Sequence, residues 1–302
     1  MRNKFRGTGT AIVTPFHKEG NIDFRSFEAL IEYQIENDVD YIVFLGTTGE
    51  SVTLSADEQN AVINFAVEMV DKRVPVVIGI GGSSTRSITD TIQKTSFDGI
   101  DAVLSVSPYY NKPQPKGILY HYKEIGAVCP VPVIIYNVPG RTGSNIDSDT
   151  TLRIASEVSN VIAVKEASKD LEQCARIIRD KPDDFLVISG NDELTLPFMA
   201  LGGDGVISVF ANAFPKEFAH MVRLCLDNRF ADARVIHHQL LPLVQAIYED
   251  GSPSGVKALL GMKGLCKNVV RLPLVKVNRS LNMQMSEMLE QLGEVPINDP
   301  YS

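Results

Sequence analysis

A short apolar run, Val161-Ile162-Ala163-Val164, stands directly before Lys165. Such a run is typical of a strand in a parallel sheet, because helices cover both faces of that sheet and no alternation with polar residues is required. Similar runs recur through the first three quarters of the chain. They predict eight strands, at residues 10–13, 41–45, 74–80, 102–106, 131–136, 161–164, 185–188 and 206–209.

Segments with helical apolar spacing alternate with these strands. Residues 24–35 have apolar side chains at intervals of three and four, which predicts a helix with one buried face. Ser55 and Glu58 have the spacing of a capping box, and Asp147 and Ser168 are further predicted helix caps. Eight β/α units in succession predict a closed (β/α)8 barrel, the TIM barrel, and the alternative is an open sheet of six or seven strands.

The last part of the chain has a different pattern. It contains helical spacing without further strand-like runs, at residues 230–248, 256–262 and 283–292. We therefore predict two parts, a catalytic barrel over residues 1–228 and a small C-terminal helical extension over residues 229–302 that packs on the barrel.

The composition of the 302 residues excludes several classes of protein. Lys and Arg number 29 against 37 Asp and Glu, and the resulting net charge of −8 is unsuited to binding nucleic-acid phosphates. The sequence has no apolar run long enough to cross a membrane and no signal-peptide pattern at its start. The four cysteines lie far apart, so we expect free thiols in a cytoplasmic protein.

Neither a metal nor a nucleotide cofactor is expected. The five histidines have no ligand spacing, and no acidic cluster accompanies them. The glycine-rich segment at residues 79–84 lacks the last glycine of a dinucleotide fingerprint and follows the third predicted strand.

Lys165 is the most informative candidate, because catalytic groups of such barrels lie at the carboxyl ends of the strands. Burial there lowers the pKa of the ammonium group, and a neutral amine can attack a carbonyl carbon to form a Schiff base. The alternative is a structural lysine that extends to solvent or pairs with Glu166.

Polar residues also follow other predicted strands. Thr47 and Thr48 lie in a glycine-flanked turn whose hydroxyls and N–H groups suit a carboxylate, although a plain tight turn is the alternative. Tyr136 ends a strand and could relay a proton with Thr47 or Tyr110, whereas a lone tyrosine is more often a packing residue.

Arg141 follows Pro139 in a segment that we expect to be a non-helical loop. The planar guanidinium group suits a substrate carboxylate. The alternative is an ordinary solvated loop charge.

Five segments together resemble the pyruvate-dependent class I aldolase/lyase superfamily, which contains N-acetylneuraminate lyase and dihydrodipicolinate synthase, and the synthase branch matches better. The segments follow one another in the family's order and cover nearly the whole chain. They are Gly46-Thr47-Thr48-Gly49-Glu50-Ser51, Pro108-Tyr109-Tyr110-Asn111-Lys112-Pro113, Tyr136-Asn137-Val138-Pro139-Gly140-Arg141-Thr142-Gly143, Lys165-Glu166-Ala167-Ser168 and Gly205-Val206-Ile207-Ser208-Val209.

The resemblance implies a role for each candidate residue. Lys165 would form the imine with pyruvate, and Tyr136 would donate and accept protons through Thr47 and a Tyr110 lent by a neighbouring subunit of a homotetramer, a dimer of dimers. The implied substrate-binding residues are Thr48, together with Thr47, for the pyruvate carboxylate, Arg141 for the carboxylate of aspartate semialdehyde, Ile207 beside the pyruvate, and Gly190, whose backbone lies close to the site.

The implied reaction condenses pyruvate with L-aspartate 4-semialdehyde to 4-hydroxy-tetrahydrodipicolinate, on the route to diaminopimelate and lysine, without an external cofactor. The alternatives are a related lyase for N-acetylneuraminate or a 2-keto-3-deoxy sugar acid, and a non-catalytic barrel that binds a keto acid. Lysine-inhibited members have histidine and glutamate where this chain has Ala56, Gln59 and Ser87, so we expect weak or absent inhibition by lysine, although Ser51 and Tyr109 match.

Overall fold

Residues 2–295 are described by the computed structural model, and their eight strands form one closed parallel barrel. The strands are β1 (Gly7–Ala11), β2 (Tyr41–Phe44), β3 (Val76–Gly79), β4 (Ala102–Val106), β5 (Val133–Asn137), β6 (Val161–Glu166), β7 (Leu186–Ser189) and β8 (Gly205–Ser208). Each strand pairs with the next along the chain, and β1 pairs with β8. The predicted (β/α)8 barrel is confirmed, and the open sheet is excluded.

Helices surround the barrel and continue beyond it. They are α1 (Phe24–Glu36), α2 (Ala56–Val70), α3 (Thr85–Lys94), α4 (Pro115–Val128), α5 (Pro139–Thr142), α6 (Ser148–Glu157), α7 (Leu171–Asp180), α8 (Thr195–Ala200), α9 (Pro215–Leu226), α10 (Phe230–Glu249), α11 (Ser254–Met262) and α12 (Arg279–Gln291). Short 3-10 helices occur at Arg2–Phe5, Ser51–Thr53 and Phe210–Asn212.

Local sequence explains most of the element ends. The capping box of α2 is present, with Ser55 and Glu58 each bonding the other's backbone N–H, and Asp147 caps α6. The predicted cap at Ser168 is wrong, because Asp170 caps α7 and the Ser168 hydroxyl accepts instead from the Asp170 N–H in the preceding turn. The third and fifth strands begin later than predicted, after a proline that has no N–H for the ladder.

Alternate residues of each strand enter two separate cores. In β5, Ile134 and Tyr136 belong to a cluster made almost entirely of strand residues, which fills the barrel. Ile135 belongs to a larger cluster shared with the helices. Because both faces are buried, the strands read as continuous apolar runs.

The C-terminal helices share the outer core of the barrel. Ile236 and Leu240 of α10, Leu259 of α11 and Met285 of α12 are buried in the same cluster as the helix-facing strand residues. The division at residue 228 remains a prediction. In the described part of the chain, no helix is long and apolar enough to cross a membrane.

Candidate active site

Two neighbouring strands bring Tyr136 and Lys165 side by side. The two residues are Cα partners in the pairing of β5 with β6, and the side chains of such partners project from the same face of the sheet. The Lys165 Nζ atom lies 4.3 Å from the centroid of the Tyr136 ring. The amine and the phenol therefore share one space inside the barrel mouth.

An irregularity in the pairing sets this register. Val133 pairs with Val161, whereas Ile134 pairs with Ala163, so that Ile162 is passed over. If the pairing continued without the shift, Tyr136 would pair with Val164 instead of Lys165. In the structure, Val164 packs in the outer core. Because the ladder passes over Ile162, Lys165 pairs with Tyr136 and lies on the inner face.

The Lys165 amine is almost fully withdrawn from water. The residue is 4% exposed, and burial lowers the pKa of its ammonium group to about 8. Asp192 opposes this shift, and the positive charge of Arg141 adds to it. The alternative partner, Glu166, accepts hydrogen bonds from Asn137, Ser168 and Gln173.

Tyr136 remains a phenol near neutral pH. Its burial raises the pKa of the hydroxyl, while Arg141 and a hydrogen bond from the Thr47 side chain lower that pKa by less. A protonated hydroxyl beside a reactive amine can donate a proton to a reacting oxygen and take it back later. The structure thus brings Tyr136, Thr47 and Lys165 together.

The turn after β2 holds Thr47 and Thr48 in a fixed shape. The Gly49 N–H donates to the Gly46 carbonyl at 3.1 Å, and the Glu50 N–H donates to the Thr47 carbonyl at 3.1 Å. Thr48 is 4% exposed, whereas Thr47 is open to the mouth of the barrel. The turn is therefore part of the wall of the site.

A buried ion pair anchors this turn to the C-terminal extension. The Lys257 ammonium of α11 donates to the Glu50 carboxylate, and the side chains of both residues are 0% exposed. Lys257 also donates to the Val269 carbonyl at 2.9 Å, and the Arg271 N–H donates to Glu50 Oε2 at 2.9 Å. The sequence shows only that an acid follows the threonines; its partner, more than two hundred residues away, has no local signal.

The expectation of a non-helical loop around Arg141 is wrong. The segment forms the one-turn helix α5 with Pro139 at its first position, where the missing N–H has no helical partner to lose. Arg141 is exposed, and its Nη2 atom donates to the Ser252 carbonyl at 3.2 Å. It lines a cavity of about 570 Å³ together with Thr47, Tyr136 and Val138.

Gly190 lies against the lysine side chain, and Ile207 lies in the inner core of the barrel. A β-carbon built on Gly190 would lie 3.0 Å from Lys165 Cε and 2.7 Å from Ala167 Cβ, closer than normal contact distances. Ile207 of β8 is 1% exposed and belongs to the inner core with Tyr136. Gly190 thus leaves room for the lysine, and Ile207 contributes to the apolar interior of the barrel.

Tyr110 lies away from these groups in its own chain. The side chain is 92% exposed, and the backbone φ of 70° is in the left-handed region, which is unusual for tyrosine. The cavity wall includes Tyr109 instead. A single chain therefore brings Lys165, Tyr136, Thr47, Arg141 and Gly190 close to one another and leaves Tyr110 exposed.

Asp192 and Tyr248 are site residues that the sequence-based prediction missed. Asp192 is 1% exposed, and its Oδ2 atom accepts from the Tyr248 hydroxyl of α10 at 2.7 Å. Burial and the neighbouring carboxylate raise the pKa of the Tyr248 hydroxyl well above its usual value. The position of Asp192 just after Gly190, beyond a strand end, was the available signal. Among the described residues, no group of three or more His, Cys, Asp or Glu could hold a metal ion.

Comparison with known proteins agrees with this geometry. The model of the dihydrodipicolinate synthetase family matches residues 4–292. A 4-hydroxy-tetrahydrodipicolinate synthase of Parabacteroides distasonis is 47% identical over 95% of this chain and 97% of its own length. The crystal structure of dihydrodipicolinate synthase from Thermotoga maritima superposes with a TM-score of 0.93 at 39% identity, over 96% of this chain and 99% of that one.

A structure described as a monomeric dihydrodipicolinate synthase variant has a TM-score of 0.94 at 39% identity, over 97% of this chain and 98% of that chain. These matches confirm the predicted family and the predicted lyase of the synthase branch. With the family model covering nearly its whole length and relatives of this identity, the chain belongs to the dihydrodipicolinate synthetase family.

Proposed function

We propose that the chain condenses pyruvate with L-aspartate 4-semialdehyde to 4-hydroxy-tetrahydrodipicolinate through an imine on Lys165. The observation that carries this proposal is the buried Lys165 amine beside the Tyr136 phenol. With the ammonium pKa lowered to about 8, roughly a tenth of the amine is neutral at pH 7, far more than for an ordinary lysine. A neutral amine is the form that attacks a ketone.

Imine formation uses the groups around the lysine. The amine nitrogen attacks the ketone carbon of pyruvate, whose carboxylate binds at the Thr47–Thr48 turn and whose methyl group packs against Ile207. Tyr136 then protonates the hydroxyl of the carbinolamine, the nitrogen lone pair forms the C=N bond, and water leaves. The cationic imine withdraws electrons, so that loss of a methyl proton gives an enamine.

Condensation follows at the mouth of the barrel. Arg141 binds the carboxylate of the semialdehyde, and the enamine carbon attacks its aldehyde carbon while the resulting alkoxide takes a proton. The amine of the substrate then attacks the imine carbon and displaces Lys165, which closes the ring and restores the free lysine. The imine itself supplies the electron sink, so this chemistry requires no external cofactor.

A second copy of the chain would complete the proton relay. Tyr110, which is 92% exposed, would enter a neighbouring site and continue the Tyr136–Thr47 relay there. The corresponding assembly is a homotetramer built as a dimer of dimers.

The product would enter the biosynthesis of diaminopimelate and lysine in the cytoplasm. All four cysteines of the chain, each of them described, are free and buried, as is usual in a reducing compartment.

Borohydride reduction in the presence of pyruvate tests the imine. We expect peptide mapping to find the reduced adduct on Lys165 and the Lys165→Arg variant to remain unlabelled, although it retains the other buried lysine, Lys257. An unlabelled wild-type chain would contradict the mechanism. Rates of condensation with the semialdehyde, compared with cleavage of sugar acids by the same preparation, test the substrate; faster cleavage would overturn the proposed reaction.

A further inference from the structure

One oxygen of the Asp192 carboxylate is buried without a hydrogen-bond partner. Within residues 2–295, no group donates to Oδ1, although the residue is 1% exposed. Burying an unpaired carboxylate oxygen costs free energy unless a favourable charge acts on it. The arrangement therefore points to a positive charge that is present at some stage of the reaction.

The other oxygen fixes the orientation of the carboxylate. Oδ2 accepts from the N–H groups of Val209 and Phe210 at 3.1 and 3.0 Å and from the Tyr248 hydroxyl at 2.7 Å. Three donors on one oxygen leave the group little freedom to rotate. The extension supplies one of the three, because Tyr248 belongs to α10.

Asp192 lies where its charge acts on Lys165. Lys165 pairs in register with Ile188 of β7, and Asp192 follows Gly190, which is packed against the Lys165 side chain. No carboxylate of the described residues forms an ion pair with this lysine. Asp192 is the carboxylate that raises the pKa of the Lys165 ammonium group, in opposition to burial.

The adjacent carboxylate cannot take this role. Glu166 is the next residue of the same strand, so its side chain projects to the opposite face from Lys165. Its oxygens accept hydrogen bonds from Asn137, Ser168 and Gln173. The remaining groups that face the amine, Tyr136 and Arg141, carry no negative charge near neutral pH.

We propose that Asp192 is a positioning residue that supplies the counter-charge for the cationic imine on Lys165, and that Tyr248 of the C-terminal extension holds it in place. This inference rests on the proposed imine. When the carbinolamine takes a proton and loses water, the nitrogen lone pair becomes a C=N bond and a neutral amine becomes a cation. A fixed carboxylate with one free oxygen stabilises that cation without needing to move.

The test is the pH dependence of the rate at which pyruvate makes Lys165 trappable by borohydride. The wild-type rate should rise with pH through the lysine pKa of about 8. Removing a nearby negative charge lowers the pKa of an ammonium group, so Asp192→Asn should move this rise down by about one pH unit. It should also raise the pyruvate concentration for half-maximal trapping by about tenfold. An unchanged midpoint would overturn the proposal.

Tyr248→Phe is the matched control, because it removes one hydrogen bond to Asp192 and leaves the charge. We expect an unchanged pH midpoint and a lower turnover rate. A shift equal to that of Asp192→Asn would assign the effect to displaced packing and contradict the counter-charge. If Asp192→Asn does not fold, Asp192→Ser removes the same charge and should change the pH midpoint and the pyruvate concentration for half-maximal trapping in the same way.

Borohydride trapping distinguishes failure of the imine from failure of the role of Asp192. If wild-type Lys165 is never trapped with pyruvate, the imine itself is wrong. If the wild type is trapped normally and the Asp192 variants keep its midpoint, only the role of Asp192 is wrong.

Discussion

Gly190 leaves the space through which the Lys165 side chain extends, since a β-carbon on Gly190 would lie 3.0 Å from Lys165 Cε. The backbone φ of Gly190 is outside the left-handed range, so glycine is required here for the space it leaves and not for its conformation. Gly190→Ala should displace the amine, because Ala167 on the other side is only 2.7 Å from the new carbon. We expect borohydride trapping to slow by about a hundredfold, since small misplacements of reacting groups have effects of this size. The control is Gly117→Ala, whose new β-carbon would lie no closer than 3.5 Å to another atom, so this variant should be trapped at the wild-type rate. Equal trapping rates in the two variants would refute the prediction.

Arg141→Ala should weaken binding of the second substrate. Loss of a charged hydrogen-bonding group opposite a carboxylate raises the KM for the semialdehyde by about tenfold to a hundredfold. Pyruvate trapping on Lys165 should continue. Steady-state kinetics with each substrate varied in turn gives the measurement, and Arg153→Ala, which removes an exposed arginine on α6, is the control. An unchanged KM for the semialdehyde would show that another group binds its carboxylate.

Mixing two inactive variants tests whether Tyr110 acts in a second chain. Tyr110→Phe retains the lysine, and Lys165→Ala retains the tyrosine. In a mixed pair of chains, one site receives both intact groups, so co-expression should restore about a quarter of wild-type activity. Either variant expressed alone should remain weak. If the mixture gains nothing over the separate variants, Tyr110 does not act across an interface.

Lys257→Met should destabilise the whole fold. It leaves the buried Glu50 carboxylate without its partner, which costs about 3–5 kcal/mol in comparable cases. The double variant with Glu50→Gln should recover part of this loss, because no unpaired charge remains. Urea unfolding measures the change, with the exposed Lys276→Met as control. A loss no larger than that of the control would mean that the pair contributes nothing.

L-lysine should inhibit turnover weakly or not at all. Gln59 uses its side-chain amide to donate to the Ser51 and Leu54 carbonyls, at 3.0 and 3.3 Å. A glutamine held in this way offers no negative charge for the amino groups of lysine. Initial rates measured over a lysine titration check this expectation, and strong inhibition at micromolar lysine would refute it.

The local sequence pattern was sufficient to predict the barrel and the two main candidate residues of the site, Lys165 and Tyr136. Uninterrupted apolar runs gave the strands, and the lysine and tyrosine stood out because each follows or ends such a run. What the pattern could not give were contacts between distant segments. Lys257 reaches Glu50 and Tyr248 reaches Asp192 only after the extension has packed on the barrel. The prediction of a non-helical loop at Pro139 was wrong for another reason: proline is tolerated at the first position of a helix, so it does not exclude a helix that starts there.

The passed-over residue in β6 means that the reactive pair does not depend on the exact length of this strand. If Ile162 were deleted, Val161 would still pair with Val133 and Ala163 with Ile134, so that Lys165 would stay beside Tyr136 on the inner face. A relative with one residue fewer before its lysine would therefore hold the amine and the phenol side by side in a regular ladder. In an alignment of distant relatives, a one-residue gap at this point is compatible with a working site, whereas loss of the lysine or the tyrosine is not.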